Sequence, residues 1–150
     1  MQKKQVIIVC TGNSCRSQMA EALWRHEAED RFEVFSAGTH PSGVHPLARQ
    51  VIEELGIDMA NQFSKSVFAM SDRPFDLVIT VCDDAKEICP VFPRATRQLH
   101  WPFEDPVMSV GSVEERLPQF RRARDLIRER IRQFLAEESD RPDETTPIPH

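Results

Sequence analysis

Cys10 and Arg16 close the two ends of the run Cys-Thr-Gly-Asn-Ser-Cys-Arg, and Ser17 follows at once. A thiol and a guanidinium at this separation suit nucleophilic attack on a tetrahedral oxyanion. The thiolate is the reactive form of cysteine, and backbone N–H groups of a tight loop or a helix N-terminus favour it over the thiol. The same N–H groups cradle an anion. Arg16 adds a planar donor fork matched to two of the anion's oxygens. Gly12 is expected to permit a turn that a Cβ would hinder, and Ser17 to hydrogen-bond the Cys10 sulfur. The candidate oxyanion-binding set is Thr11, Gly12, Asn13, Ser14, Cys15, Arg16 and Ser17, with Cys10 as nucleophile.

The nucleophile needs a rigid support, and the flanking sequence supplies one. Residues 5–10 are β-rich without polar alternation, as in a strand buried on both faces. Such a strand delivers Cys10 to the carboxyl edge of a parallel sheet, where ligands bind. Ser17 is expected to cap a helix reaching about His26, with Met19, Ala22, Leu23 and His26 inward. Residues 32–37 read as a second strand ended by Gly38, and residues 46–55 as a helix opened by Pro46 and stopped by Gly56. Residues 75–81 form a third strand and residues 98–101 a short fourth. A long helix over residues 113–136 sets Leu117, Phe120, Ala123, Ile127, Ile131 and Phe134 at helical spacing, with its arginines on a solvated face. The expected fold is α/β: a three-layer αβα arrangement around a four-stranded parallel sheet. Residues 1–136 then make one catalytic domain, and the proline-rich, apolar-poor residues 137–150 a disordered tail.

Composition removes several classes of function. The net charge of −5 argues against non-specific nucleic-acid binding. No apolar run approaches a membrane span, and no leader is legible, so a cytoplasmic protein is expected. In that compartment the 4 cysteines are not a permanent disulfide framework. The spacings Cys10–Cys15 and Cys82–Cys89 also fit poorly with zinc knuckles, so no metal or cofactor is expected.

From Cys10 to Glu21 the sequence resembles the signature of the low-molecular-weight protein tyrosine phosphatase superfamily. Within it, the chain is similar to the thioredoxin-coupled arsenate reductases. The similarity continues through Ser36-Ala37-Gly38, His45-Pro46, Gly56-Ile57-Asp58, Val81-Cys82-Asp83, Cys89-Pro90 and His100-Trp101 to Asp105-Pro106, and covers residues 5–136. The resemblance implies a phosphatase-like fold, a monomer, arsenate as substrate and thioredoxin as reductant. It implies that Cys10 attacks arsenic, that Cys82 resolves the adduct, and that Cys89 moves the disulfide outward. Asp105 takes the role of general acid, with Glu104 beside it as the other carboxylate. If the segment after Cys82 is helical, its seven-residue separation from Cys89 spans about 10.5 Å, beyond the roughly 7 Å that a disulfide bridges, so it must rearrange. The alternative is a tyrosine phosphatase sharing the loop and the acid. Against it stand the Cys82 and Cys89 pair, Val107 where an aromatic is usual, and the absence of tyrosine. A third possibility is a non-enzymatic thiol sensor, which would not require Asp105. Some members of the family bind potassium through residues equivalent to Asn13, Glu21 and Ser36. Here Lys65 stands where their acid would be, so its ammonium is expected to replace the ion and reach Glu21 and Asn13.

Overall fold

The computed structural model describes residues 3–81 and 92–139. Cys82, Cys89 and residues 140–150 therefore lie outside the described residues, and with them the expected rearrangement and nearly all of the expected tail.

The unbroken apolar run predicts a central strand, and β1 (Lys4–Cys10) takes that place. It lies between β2 (Phe32–Gly38) and β3 (Leu77–Thr80), with β4 (Arg97–His100) outside β3. All three pairings are parallel, so the sheet runs β2-β1-β3-β4. Val6 to Val9 are essentially inaccessible, because side chains alternate across a sheet that is covered on both faces. In register, Cys10 pairs with Gly38 and Val9 with Thr80, which brings three strand ends to one edge.

Three helices complete the described frame: α1 (Arg16–Ala28), α2 (Pro46–Glu53) and α3 (Val113–Ser139). On one face of the sheet, the fully buried Trp24 of α1 meets Phe32 edge-on at 5.3 Å and stacks with Trp101 at 5.9 Å. Phe134 of α3 closes this cluster at 5.4 Å from Trp24. The opposite face carries Phe35, Phe75 and Phe92 in edge-to-face pairs. Aromatic contacts of this kind add specific geometry to the area they bury.

Local chemistry explains the helix ends. His45 caps α2, its Nδ1 accepting the Leu47 N–H at 3.1 Å, and Pro46 follows where a missing N–H costs nothing. Ser112 and Glu115 form a reciprocal capping box ahead of α3: the Glu115 N–H reaches the Ser112 hydroxyl at 3.2 Å and the Ser112 N–H the Glu115 carboxylate at 3.4 Å.

Four sequence expectations change. Ser17 is not the cap of α1; the N-cap is Cys15, and Ser17 lies inside the helix with its hydroxyl turned to Cys10. His26 is exposed, and the buried stripe instead takes in Gln18 and Glu21. The arginines of α3 are not all solvated: Arg124 is buried and ties α3 to α2 through the Val51 carbonyl at 2.9 Å and Glu54 at 2.8 Å. The helix also continues past residue 136 to Ser139. Leu117 is half-buried at the rim of the apolar stripe, whereas Phe120, Ala123, Ile127, Ile131 and Phe134 are buried as the spacing predicts.

Candidate active site

Residues 10–15 turn between the end of β1 and the start of α1. Their carbonyls are tied outward, one after another. The Thr39 N–H reaches the Cys10 carbonyl at 3.3 Å, His40 that of Thr11 at 2.7 Å, Ser42 that of Gly12 at 3.0 Å and His45 that of Ser14 at 2.9 Å. The Asn13 carbonyl accepts from the Ser64 hydroxyl at 2.6 Å. Across a trans peptide the N–H points away from the carbonyl. Carbonyls held outward therefore leave the next N–H groups facing the interior of the turn, which makes an anion nest at the N-terminus of α1. No acidic residue occupies the first turn of α1 to compete with an anion.

Two glycines and one asparagine shape this turn, but not as the sequence suggests. The left-handed residue is Asn13, at φ 46°, not Gly12. A Cβ on Gly12 would meet the Ser42 hydroxyl at 3.0 Å, a side chain that can move. A Cβ on Gly38 would stand 2.6 Å from the Thr11 carbonyl and 2.8 Å from the Asn13 nitrogen. The close approach that needs a glycine is thus at the end of β2, where backbone lies against backbone.

The Cys10 sulfur is buried among donors. The Asn13 N–H lies at 3.2 Å and the Ser17 hydroxyl at 2.8 Å. Ser17 also accepts from Asn13 Nδ2 at 2.8 Å; that neighbour is a donor, so the Ser17 proton is free to point to the sulfur. Cys15 behaves differently. Burial above all, then the negative charge of Asp105, pushes its thiol well above the usual cysteine range. It stays protonated, as suits a packed, inert thiol in the wall of the turn.

Arg16 projects from the first turn of α1 towards the segment after β4. Its NH1 donates to the Phe103 carbonyl at 3.0 Å and its NH2 to Asp105 Oδ2 at 3.2 Å. Asp105 caps a short 3-10 turn, Pro106–Met108, accepting the Val107 N–H at 3.0 Å through Oδ1. Glu104 is exposed, whereas Asp105 is half-buried against Arg16. Arg116 of α3 holds this turn from behind, donating to the Val107 carbonyl at 3.2 Å and the Ser109 hydroxyl at 3.4 Å.

The structure therefore brings Cys10, Thr11, Gly12, Asn13, Ser14, Cys15, Arg16, Ser17 and Asp105 to one edge of the sheet. Cys82 and Cys89 are outside the described residues, but the chain leading to them is not. The Val81 N–H donates to the Val9 carbonyl at 3.0 Å, and the Val81 carbonyl accepts from Phe103 at 3.3 Å. Val81, the residue before Cys82 in the sequence, thus lies at the edge that carries Cys10.

Behind the turn, Lys65 reaches Glu21, with its Nζ 3.8 Å from Oε1. Ser36 and Arg25 complete the carboxylate's shell at 2.6 Å and 2.9 Å. Asn13 is held by the Lys65 backbone N–H at 2.9 Å rather than by the ammonium, which also donates to the Phe63 carbonyl at 2.9 Å and lies 4.6 Å from the centre of the Phe63 ring. Burial lowers the Lys65 ammonium from its ordinary range, with Glu21 opposing. Among the described residues no His, Cys, Asp and Glu side chains gather as a metal site. None of the described helices is long and apolar enough to cross a membrane.

Sequence reasoning missed the buried glutamines Gln18 and Gln62 and the scaffold role of residues 39–45. A polar residue on the apolar stripe of α1 was the available signal for Gln18. The outward ties of the turn left no trace in residue type, since backbone N–H groups make most of them.

The low molecular weight phosphotyrosine protein phosphatase profile matches residues 5–142. An arsenate reductase of Shouchella clausii is 42% identical over 134 residues, covering 89% of this chain and 96% of the relative. A solved arsenate reductase in a phosphate-binding state superposes with a TM-score of 0.77 at 33% identity, over 89% of this chain and 98% of the other. A thioredoxin-dependent arsenate reductase of Corynebacterium glutamicum gives a TM-score of 0.65 at 31% identity; 90% of this chain matches 61% of that one. With the profile match spanning nearly the whole chain, and relatives at this identity and coverage, the chain belongs to the low molecular weight phosphotyrosine protein phosphatase family.

Proposed function

We propose that this protein is an arsenate reductase that draws its electrons from thioredoxin through Cys10, Cys82 and Cys89. The observation that carries the reading is the pairing of Val81 with Val9, which sets the residue before Cys82 beside the strand that ends in Cys10. The names of the relatives support the substrate, and the thioredoxin-dependent relative supports the reductant.

The chemistry balances as a two-electron transfer. The Cys10 thiolate attacks arsenic, a sulfur–arsenic bond forms, and an arsenate hydroxyl departs as water with a proton from Asp105. Arg16 and the N–H groups of the turn hold the remaining oxygens and the charge that develops on them. The Cys82 thiolate then attacks the Cys10 sulfur. The disulfide forms, the sulfur–arsenic bond breaks, and its electron pair stays on arsenic, which leaves as arsenite. Cys89 attacks Cys82, releasing Cys10 as a thiolate and leaving a Cys82–Cys89 disulfide. A thioredoxin dithiol reduces that bond by exchange. A phosphatase would share only the first attack and would use water in place of Cys82.

Single-turnover chemistry tests this order. Cys89→Ser should release one arsenite per chain and stop with a Cys10–Cys82 disulfide on peptide mapping. Continued turnover by Cys89→Ser with thioredoxin would contradict the outward relay. Arsenate consumption without a disulfide would contradict the resolving step.

A further inference from the structure

Behind Asn13 lies a run of buried amides that Cys10 does not touch. Gln18 is fully buried on α1. Its Nε2 faces three oxygens: the Asn13 carbonyl at 3.1 Å, Asn13 Oδ1 at 3.0 Å and the Phe63 carbonyl at 3.0 Å. Two of these are backbone carbonyls, which only accept, so the amide nitrogen of Gln18 must be the atom placed there. Its Oε1 then faces the other way and accepts from Gln62 Nε2 at 2.8 Å. Gln62 is fixed by the same logic, since its Nε2 also donates to the Gln18 carbonyl at 3.0 Å.

The orientation passes on to Asn13. Its Oδ1 must face the Lys65 N–H and the Gln18 amide, both donors, so its Nδ2 is turned to Ser17. Ser17 receives that donor on its oxygen and has its proton left for Cys10. Gln18 also holds the Asn13 carbonyl, and so the left-handed backbone that aims the Asn13 N–H at the same sulfur. A reversed Asn13 amide would set buried donor against donor at two points, a costly arrangement away from water, and would draw the Ser17 proton to Oδ1 and away from the sulfur.

We propose that Gln18, braced by Gln62, is a positioning residue that sets the direction of the hydrogen bonds reaching Cys10, so that the sulfur receives two donors. The proposal rests on the reading of Cys10 as the nucleophile. It concerns the thiol's ionisation rather than arsenic, so it can fail separately from the proposed activity.

The test is the pH profile of Cys10 alkylation by iodoacetamide in the full-length chain, resolved from the other cysteines by peptide mass spectrometry. Gln18→Met keeps the length of the side chain and removes the donor. Its Cys10 alkylation at pH 7 should fall by about tenfold, as a profile displaced by about one pH unit towards alkaline pH gives. Gln62→Leu should move the profile the same way by less. A cooperative melt at a lower temperature with an unmoved profile would assign Gln18 to packing alone and overturn the proposal. If Gln18→Met does not fold, Gln62→Leu decides: a displaced profile supports the proposal and an unmoved one overturns it. Loss of arsenate reduction in the wild type together with a displaced Gln18→Met profile would leave this proposal standing and remove the arsenate reading.

Discussion

Arg16 NH2 sits 3.2 Å from Asp105 Oδ2, so the guanidinium of the turn and the carboxylate proposed as general acid share a contact. On the proposed mechanism, an oxyanion that takes this donor displaces the carboxylate from Arg16 and receives its proton at the leaving oxygen. Binding and proton delivery would then be coupled through one side chain. Asp105→Asn should lower the rate of arsenate reduction by about 10²–10⁴ while sulfate still competes for the site. Steady-state rates with a sulfate inhibition series measure both. Loss of sulfate competition in Asp105→Asn would place Asp105 in binding rather than in proton transfer.

Gly38 and Gly12 should respond very differently to a methyl group. At Gly38 the new Cβ meets the Thr11 carbonyl at 2.6 Å, and backbone must move. At Gly12 it meets only the Ser42 hydroxyl at 3.0 Å, which can rotate away. Gly38→Ala should lose about 10²-fold in kcat/KM, since shifts of this size in a catalytic geometry cost about that much. Gly12→Ala should retain most of its activity. Equal losses would show that the turn does not rest on β2 as the structure places it.

His45 links stability to pH. Burial first, then the neighbouring Arg116, holds its imidazole below the ordinary value of 6.5, with Asp105 opposing. The native chain therefore binds this proton less readily than the unfolded chain. Its share of stability is complete above the unfolded value and is lost as pH falls from there to the folded value. The urea midpoint should drop between pH 7.5 and pH 5.5. His45→Gln, which keeps an acceptor for the Leu47 N–H, should show a flatter dependence. An identical slope in the variant would remove His45 as a source of it.

Lys65 gives a prediction about salts. With an ammonium 3.8 Å from the Glu21 carboxylate, the positive charge beside Glu21 is already built into the chain. Activity and melting temperature should be the same in potassium as in sodium at equal ionic strength. A clear rise in arsenate affinity or melting temperature with potassium alone would contradict this.

What the sequence made legible divides along a physical line. Val6 to Val9 and the stripe Phe120, Ala123, Ile127, Ile131 and Phe134 were readable because periodicity records burial directly. Cys10, Arg16 and Asp105 stand out in the sequence because their spacing and motif are specific, and the structure gathers them at one edge. Ser17 was placed correctly against the sulfur but wrongly as a helix cap, because a serine beside a helix start serves either role until the geometry is known. The roles of Gln18 and Gln62 depend on which way an amide faces, and only the backbone groups around them decide that. Arg124 looked like part of a solvated charge run. Its burial goes with its hydrogen bonds to the Val51 carbonyl and Glu54, a tertiary contact with α2 that charge pattern does not encode.

The most direct test of the account is arsenate-dependent NADPH oxidation in the presence of thioredoxin and its reductase, comparing the wild type with Cys82→Ser. The wild type should sustain turnover and Cys82→Ser should show none, while still hydrolysing p-nitrophenyl phosphate slowly through Cys10. Full arsenate turnover by Cys82→Ser, or none by the wild type, would contradict it.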